Sequence, residues 1–174
     1  MDIPPVVSPR LELRVLAPMA LDALVAHDLS QAGHLVRAAV PAEMIDPDHF
    51  SFFLRRAAGP AFAWPRLMVP LAGEPRVIGN IGFHGPPANG VAEIGYTVFA
   101  PYRRQGYATE AARALFDWAA GSEGVTRVRA SVAPTNAASL AVVRKLGLHQ
   151  VGTRTDERDG EELVFEADWP AGAG

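Results

Sequence analysis

The stretch Arg103-Arg104-Gln105-Gly106-Tyr107-Ala108-Thr109-Glu110 has the composition of an anion site. Its two guanidinium groups supply positive charge and a planar fork suited to phosphate. Gly106 lets a ligand approach the backbone where a side chain would stand in the way. The stretch separates a β-like run at 92–99 from a helix-like run at 107–120, so it opens a helix. The first N–H groups of a helix lack intrahelical acceptors and lie at the positive end of its dipole. A strand, a basic glycine loop and a helix start together read as a pyrophosphate cradle. The plainer alternative is a turn at Gly106 with Arg103 and Arg104 as solvated loop charges, and Thr109 as a helix-capping group.

Other glycine-loop chemistries fail on detail. No Gly-x-x-x-x-Gly-Lys-Ser/Thr is present, and no Gly-x-Gly-x-x-Gly opens this helix. Glu93 interrupts the apolar run Val91-Ala92-Glu93-Ile94-Gly95-Tyr96. A carboxylate there is either partly buried, with its pKa raised, or an ordinary solvated strand residue. Asn136 and Ser139 open a later helix-like run, where Asn is a favoured cap and Ser is common in the first turn. His27, His34, His49, His84 and His149 show no metal-ligand spacing, so no metal is expected.

The 174 residues fit one domain, expected over 10–170 behind a flexible proline-rich arm at 1–9. With 49% hydrophobic and 20% charged residues, the composition is that of a soluble globular protein. A net charge of −3 argues against nucleic acid as a partner. The absence of cysteine removes disulfides, thiolate zinc sites and cysteine nucleophiles. No apolar run reaches the roughly 18 residues of a membrane helix, and Asp2, Pro4 and Pro5 do not form a signal peptide. The expected location is the cytoplasm, without a membrane partner.

Hydrophobic periodicity places the elements that must position these groups. Leu11, Leu13 and Val15 alternate as a strand, and Leu21, Leu24 and Val25 share a helical face. Residues 30–44 read as a broken helix, and Asp46-Pro47 starts another that carries Phe50, Phe53 and Leu54. Strands at 61–71, 76–83 and 91–99 suggest an antiparallel meander. The helix after Gly106 turns Ala108, Ala111, Ala112, Leu115 and Ala119 to the core. A strand at 125–133, a helix from Asn136 to Leu146, and strands at 148–155 and 162–167 joined near Asp159-Gly160 complete the chain.

In this order of elements the sequence resembles the GNAT superfamily of acetyl-CoA-dependent N-acetyltransferases. Arg103-x-x-Gly106-x-Ala108 fits the family's Gln/Arg-x-x-Gly-x-Gly/Ala loop, preceded by Ala92-Glu93-Ile94-Gly95-Tyr96 and followed by Asn136-x-x-Ser139 and Lys145-Leu146-Gly147-Leu148. With Gly106-Tyr107-Ala108-Thr109-Glu110-Ala111, these motifs are similar to the branch of ribosomal-protein N-terminal alanine acetyltransferases.

The resemblance implies an α/β fold whose mostly antiparallel sheet of six to seven strands is splayed at the cofactor site, with Gly95 supplying a bulge. It implies acetyl-CoA as co-substrate, with Arg103, Arg104, Gln105, Gly106, Tyr107, Ala108 and Thr109 at the pyrophosphate. Val98 and Phe99 would pair with pantetheine, and Asn136 and Ser139 would touch the CoA arm and thioester sulfur. Glu93 is then the expected base for a primary amine, either a protein N-terminus or a small molecule, and Ser139 a candidate acid. The family's later acid tyrosine has no match at 142–148. A monomer or homodimer is expected. The competing class is a CoA-binding sensor or assembly module without catalysis.

Overall fold

Strand β5 (Val91–Val98) shows how the chain builds its two faces. Ala92 and Ile94 are buried, while Glu93 and Gly95 remain partly accessible, the two-residue period of a sheet with unlike sides. The computed structural model describes residues 4–46, 65–156 and 160–170. Eight strands form one sheet in the order β1-β2-β3-β4-β5-β6-β8-β7. They are β1 (Val6–Val7), β2 (Leu11–Val15), β3 (Arg66–Pro70), β4 (Gly79–Phe83), β5, β6 (Arg127–Val132), β7 (His149–Asp156) and β8 (Gly160–Asp168). Every neighbouring pair is antiparallel except β5 with β6. The helices are α1 (Pro18–Val25), α2 (Leu29–Val36), α3 (Tyr107–Glu123) and α4 (Ala137–Lys145).

Two cores lie on opposite sides of the sheet. Ile81, Phe83, Ala92, Ile94, Val128 and Ala130 pack with Ala111, Ala112, Leu115 and Phe116 of α3. Leu67 and Val69 pack with Leu21 and Leu24 of α1 and Val36 of α2. Small residues on α3 bring its backbone close to the strands. The expected stripe gains Phe116, which meets Phe83 and Trp169 at centroid distances of 6.4 and 5.3 Å.

Several expectations change. The N-terminal arm is not loose at its inner end, because Val6 and Val7 pair with Leu13 and Glu12. The strand expected from residue 76 begins at Gly79, since Ala39 and Val77 are bonded to each other through Val77 N–H and Ala39 O at 2.9 Å. Gly95 forms no bulge; it stays in register with Gly82, and the register shift in the sheet falls at Gln150/Gly152. The helix expected after Asp46, the strand residues 61–64 and the Asp159 turn lie outside the described residues.

Gly79 shows how tightly β4 and β5 are apposed. A Cβ added there would stand 2.3 Å from the Thr97 carbonyl oxygen and 3.0 Å from Val98 Cα. Both are backbone atoms that cannot swing aside. Gly79→Ala is expected to cost about 2 kcal/mol by overpacking. In a chain of this size that lowers Tm by roughly 5 °C, which calorimetry would register.

Candidate functional site

Helix α3 begins without a side-chain cap. Its N-cap is Gly106, at φ 84° and ψ 0°, a left-handed conformation that favours glycine. The first intrahelical bond runs from Glu110 N–H to Gly106 O at 3.0 Å. The N–H groups of Tyr107, Ala108 and Thr109 precede it and have no acceptor within the helix. Arg104 is also left-handed, at φ 61°, so the loop turns twice before the helix. Such a loop can receive a diphosphate on backbone donors. Beside it lies a groove of about 690 Å³ lined by Ser8, Thr109, Arg113 and Lys145 among others.

The loop is braced from beneath by residues that sequence reasoning missed. Glu110 accepts from Ser8 Oγ at 2.7 Å, Arg10 N–H at 2.8 Å and Arg10 Nε at 2.6 Å. Arg10 Nη1 also donates to Gln105 O at 3.1 Å, and its guanidinium lies 4.6 Å from the Tyr107 ring centroid. The clamp pairs the Glu110 carboxylate, in the first turn of α3, with the Arg10 cation. Arg103 spends Nε on Val98 O at 2.8 Å, and Gln105 Nε2 donates to Pro101 O at 3.2 Å.

Burial pushes the Glu110 carboxyl up, but the bonds from Ser8 and Arg10 outweigh it and hold the group below its ordinary value. A depressed native pKa gives stability that is present above the unfolded carboxylate range and is lost as pH falls through the native pKa. Glu110→Gln is therefore expected to lower Tm at pH 7. The difference from the wild type should shrink below about pH 4, where the unfolded carboxylate is protonated. Thermal melts across pH would check the sign.

Between β5 and β6 the sheet opens. Their parallel pairing runs from Val91 with Arg127 to Ile94 with Ala130, although β5 continues to Val98 and β6 to Val132. Residues 95–98 therefore have an edge facing this gap. An extended chain bearing amides can add there as a strand would. Val98 lies on it, but its carbonyl already accepts from Arg103. Phe99 does not share the edge. Its N–H donates to Ile78 O and its carbonyl accepts from Tyr102, both at 2.9 Å, while its ring is buried against the α1–α2 core.

Glu93 lies on the sheet face away from α3. Its carboxylate is not an isolated group in apolar surroundings. Oε1 accepts from Ser131 Oγ at 2.8 Å and Oε2 from Arg154 Nη1 at 3.1 Å, and His84 Nδ1 stands 3.6 Å from Oε1. Arg154 also donates Nε to Glu162 at 2.8 Å. Burial would lower the Arg154 pKa, but Glu162 and Glu93 together raise it and keep the cation. The Glu93 side chain is 15% exposed, so solvent or a small amine can still reach it. This face is polar across β5, β6, β8 and β7, where Arg129 pairs with the buried Glu166.

At the start of α4, Asn136 Oδ1 accepts from Ser139 N–H at 3.0 Å, the plain capping role. Its side-chain NH₂ is what remains for a ligand. Ser139 is half-buried, with its hydroxyl beside that of Tyr96. Thus Glu93 and the open edge of β5 share one strand, Tyr96 on that edge stands beside Ser139, and Phe99 is directed elsewhere. Arg10 braces Glu110, and Ser131 and Arg154 bond Glu93. Nothing local in the sequence marks Arg10, Ser131 or Arg154, because their partners lie 38 to 100 positions away.

The geometry defines a mixed sheet that parts between β5 and β6 and an uncapped helix start at Gly106 after β5, the architecture of an acyl-CoA-dependent acyltransferase fold. The acetyltransferase (GNAT) domain family matches residues 10–149, and the chain belongs to that family. An N-acetyltransferase of Bacillus subtilis strain 168, YjdG, is 40% identical over 72 residues, 41% of this chain and 43% of that protein. The match thus spans less than half the length of this relative. The ribosomal-protein-S5-alanine acetyltransferase of Vibrio fischeri has a TM-score of 0.66 at 15% identity, covering 96% of this chain and 97% of that one. RimL, a ribosomal L7/L12 alpha-N-protein acetyltransferase in complex with coenzyme A, has a TM-score of 0.66 at 19% identity, covering 94% and 97%. These likenesses carry the fold, including that of the ribosomal-protein branch.

No helix among the described residues is long and apolar enough to cross a membrane. Among them, no cluster of three or more His, Asp or Glu side chains is placed to hold a metal.

Proposed function

We propose that this chain transfers an acetyl group from acetyl-CoA to a primary amine by direct attack, both substrates meeting at the opening between β5 and β6. The observation that carries the reading is the uncapped start of α3 at a left-handed Gly106, beside a strand edge freed for pantetheine. Backbone N–H groups from Arg104, Gln105, Gly106, Tyr107, Ala108 and Thr109 hold the pyrophosphate, with Arg103 adding charge. Residues 95–98, Val98 among them, and Asn136 align the pantetheine arm. RimL, a fold neighbour, has been solved in complex with coenzyme A, which supports the reading.

The amine approaches from the polar face of the sheet. Glu93 takes its proton, directly or through water, and Ser131 and Arg154 fix the carboxylate's orientation. The nitrogen attacks the thioester carbonyl, the C–S bond breaks, and Ser139 supplies the proton that the departing sulfur needs. Holding both substrates in one geometry contributes much of the rate. The acceptor is a protein N-terminus or a small amine, and the protein acts as a monomer or homodimer in the cytoplasm.

The test is a screen of N-terminal peptides, amino sugars, polyamines and amino acids, with CoA release as readout and calorimetry for acetyl-CoA. Turnover with one acceptor class supports the reading. Acetyl-CoA binding without any turnover would favour a sensor module, and failure to bind acetyl-CoA would sink both.

A further inference from the structure

Tyr96 lies on β5 beyond Ile94, in the part of the strand from which β6 has separated. Its side chain points to the α3 side and packs against that core. The Tyr96 Oη is buried, yet no hydrogen bond of good geometry satisfies it. The neighbouring polar group is the Ser139 hydroxyl, close enough to oppose the effect of burial on the tyrosine. An unpartnered buried hydroxyl costs roughly 1–3 kcal/mol, so native proteins seldom keep one idle. Its position beside the gap gives the cost a function.

We propose that Tyr96 is a positioning residue for the leaving-group step, acting through Ser139. When the thioester occupies the gap, the Tyr96 hydroxyl donates to Ser139 Oγ. That bond occupies one acceptor lobe of Ser139 and turns the serine's own proton toward the sulfur. As the C–S bond breaks, its electron pair stays on sulfur and takes the Ser139 proton. The nitrogen, on becoming an amide, releases the proton that restores Ser139. Tyr96 keeps its proton throughout. Burial raises its pKa, and the Ser139 hydroxyl only partly opposes this, so the group remains a donor. The inference rests on the transferase reading and adds to it a role for the last residue of the Ala92-Glu93-Ile94-Gly95-Tyr96 stretch.

Tyr96→Phe separates this role from a structural one. Removing an unsatisfied buried hydroxyl is neutral or stabilising, so the variant should melt at the wild-type temperature or above. Its kcat should nevertheless fall about 10-fold, the loss of one aligned hydrogen bond, with KM for acetyl-CoA within about 2-fold. The pair Tyr96→Phe and Ser139→Ala should be no slower than Ser139→Ala alone, because one residue acts through the other. Wild-type kcat in Tyr96→Phe, or losses that multiply in the pair, would overturn the proposal. So would a lower Tm that accounts for the lost activity. A wild-type chain that binds acetyl-CoA but acetylates no amine sinks the transferase reading; transfer by the wild type with an equal Tyr96→Phe sinks this inference alone.

Discussion

Glu93→Gln is expected to lower kcat about 100-fold, the lower part of the range for a positioned base, with acetyl-CoA affinity within about 2-fold. Glutamine is close in shape and still accepts from Ser131, so the strand should hold its register. Two features set the expected size. Arg154 bonds the carboxylate in the resting protein and competes with an arriving ammonium for it. Against that, Arg154 has Glu162 as a second partner at 2.8 Å and can lean toward it when an ammonium arrives.

The pH dependence gives the sharper test. A base matters only while the acceptor amine is protonated. The deficit of the variant should therefore close as pH rises through the amine's own pKa, near 8 for an N-terminal amine and near 10 for an alkyl amine. Initial rates of both proteins from pH 6.5 to 10 would show it. A deficit constant across that range would make Glu93 a structural residue, and one confined to the acceptor KM would assign it to binding the ammonium.

The strand, glycine loop and helix start were legible in the sequence because everything that makes them is contiguous. Strand, basic loop, glycine and helix follow one another within 92–120, and a local pattern can specify each. The meander of β3, β4 and β5 was legible for the same reason, as turns join strands that then pair. The bracing of the site was not. Ser8 reads as part of a proline-rich arm, and Arg10 as the first residue after it, until the fold brings both to Glu110, about a hundred residues on. Glu93 was read in its own apolar strand, where burial dominates. Ser131 and Arg154 come to it from β6 and β7, and neither position is coded near residue 93. Phe99 shows the opposite error. Its place beside Val98 suggested a share in the ligand edge, but its N–H is taken by Ile78 O and its carbonyl closes the turn to Tyr102.

Gly106→Val should weaken acetyl-CoA binding about 30-fold or more, because a β-branched residue held at φ 84° costs on the order of 2 kcal/mol. Crowding inside the protein is not the cause. A Cβ at this position would meet only Arg10 Nη2, at 3.4 Å, an ordinary contact with a side-chain end that can move. Two effects remain, the backbone strain and the loss of close approach for the pyrophosphate. Gly106→Ala divides them. Alanine carries about 1 kcal/mol of strain, so its Tm should fall only a few degrees. If its Kd for acetyl-CoA still rises about 10-fold or more, the space above Gly106 belongs to the ligand. Calorimetric titration with acetyl-CoA at two salt concentrations completes the test. The loss should persist at both, since the glycine contributes shape while Arg103 and Arg104 contribute the screened charge. Wild-type affinity in Gly106→Val would remove the cradle from this loop, and the transferase reading would go with it.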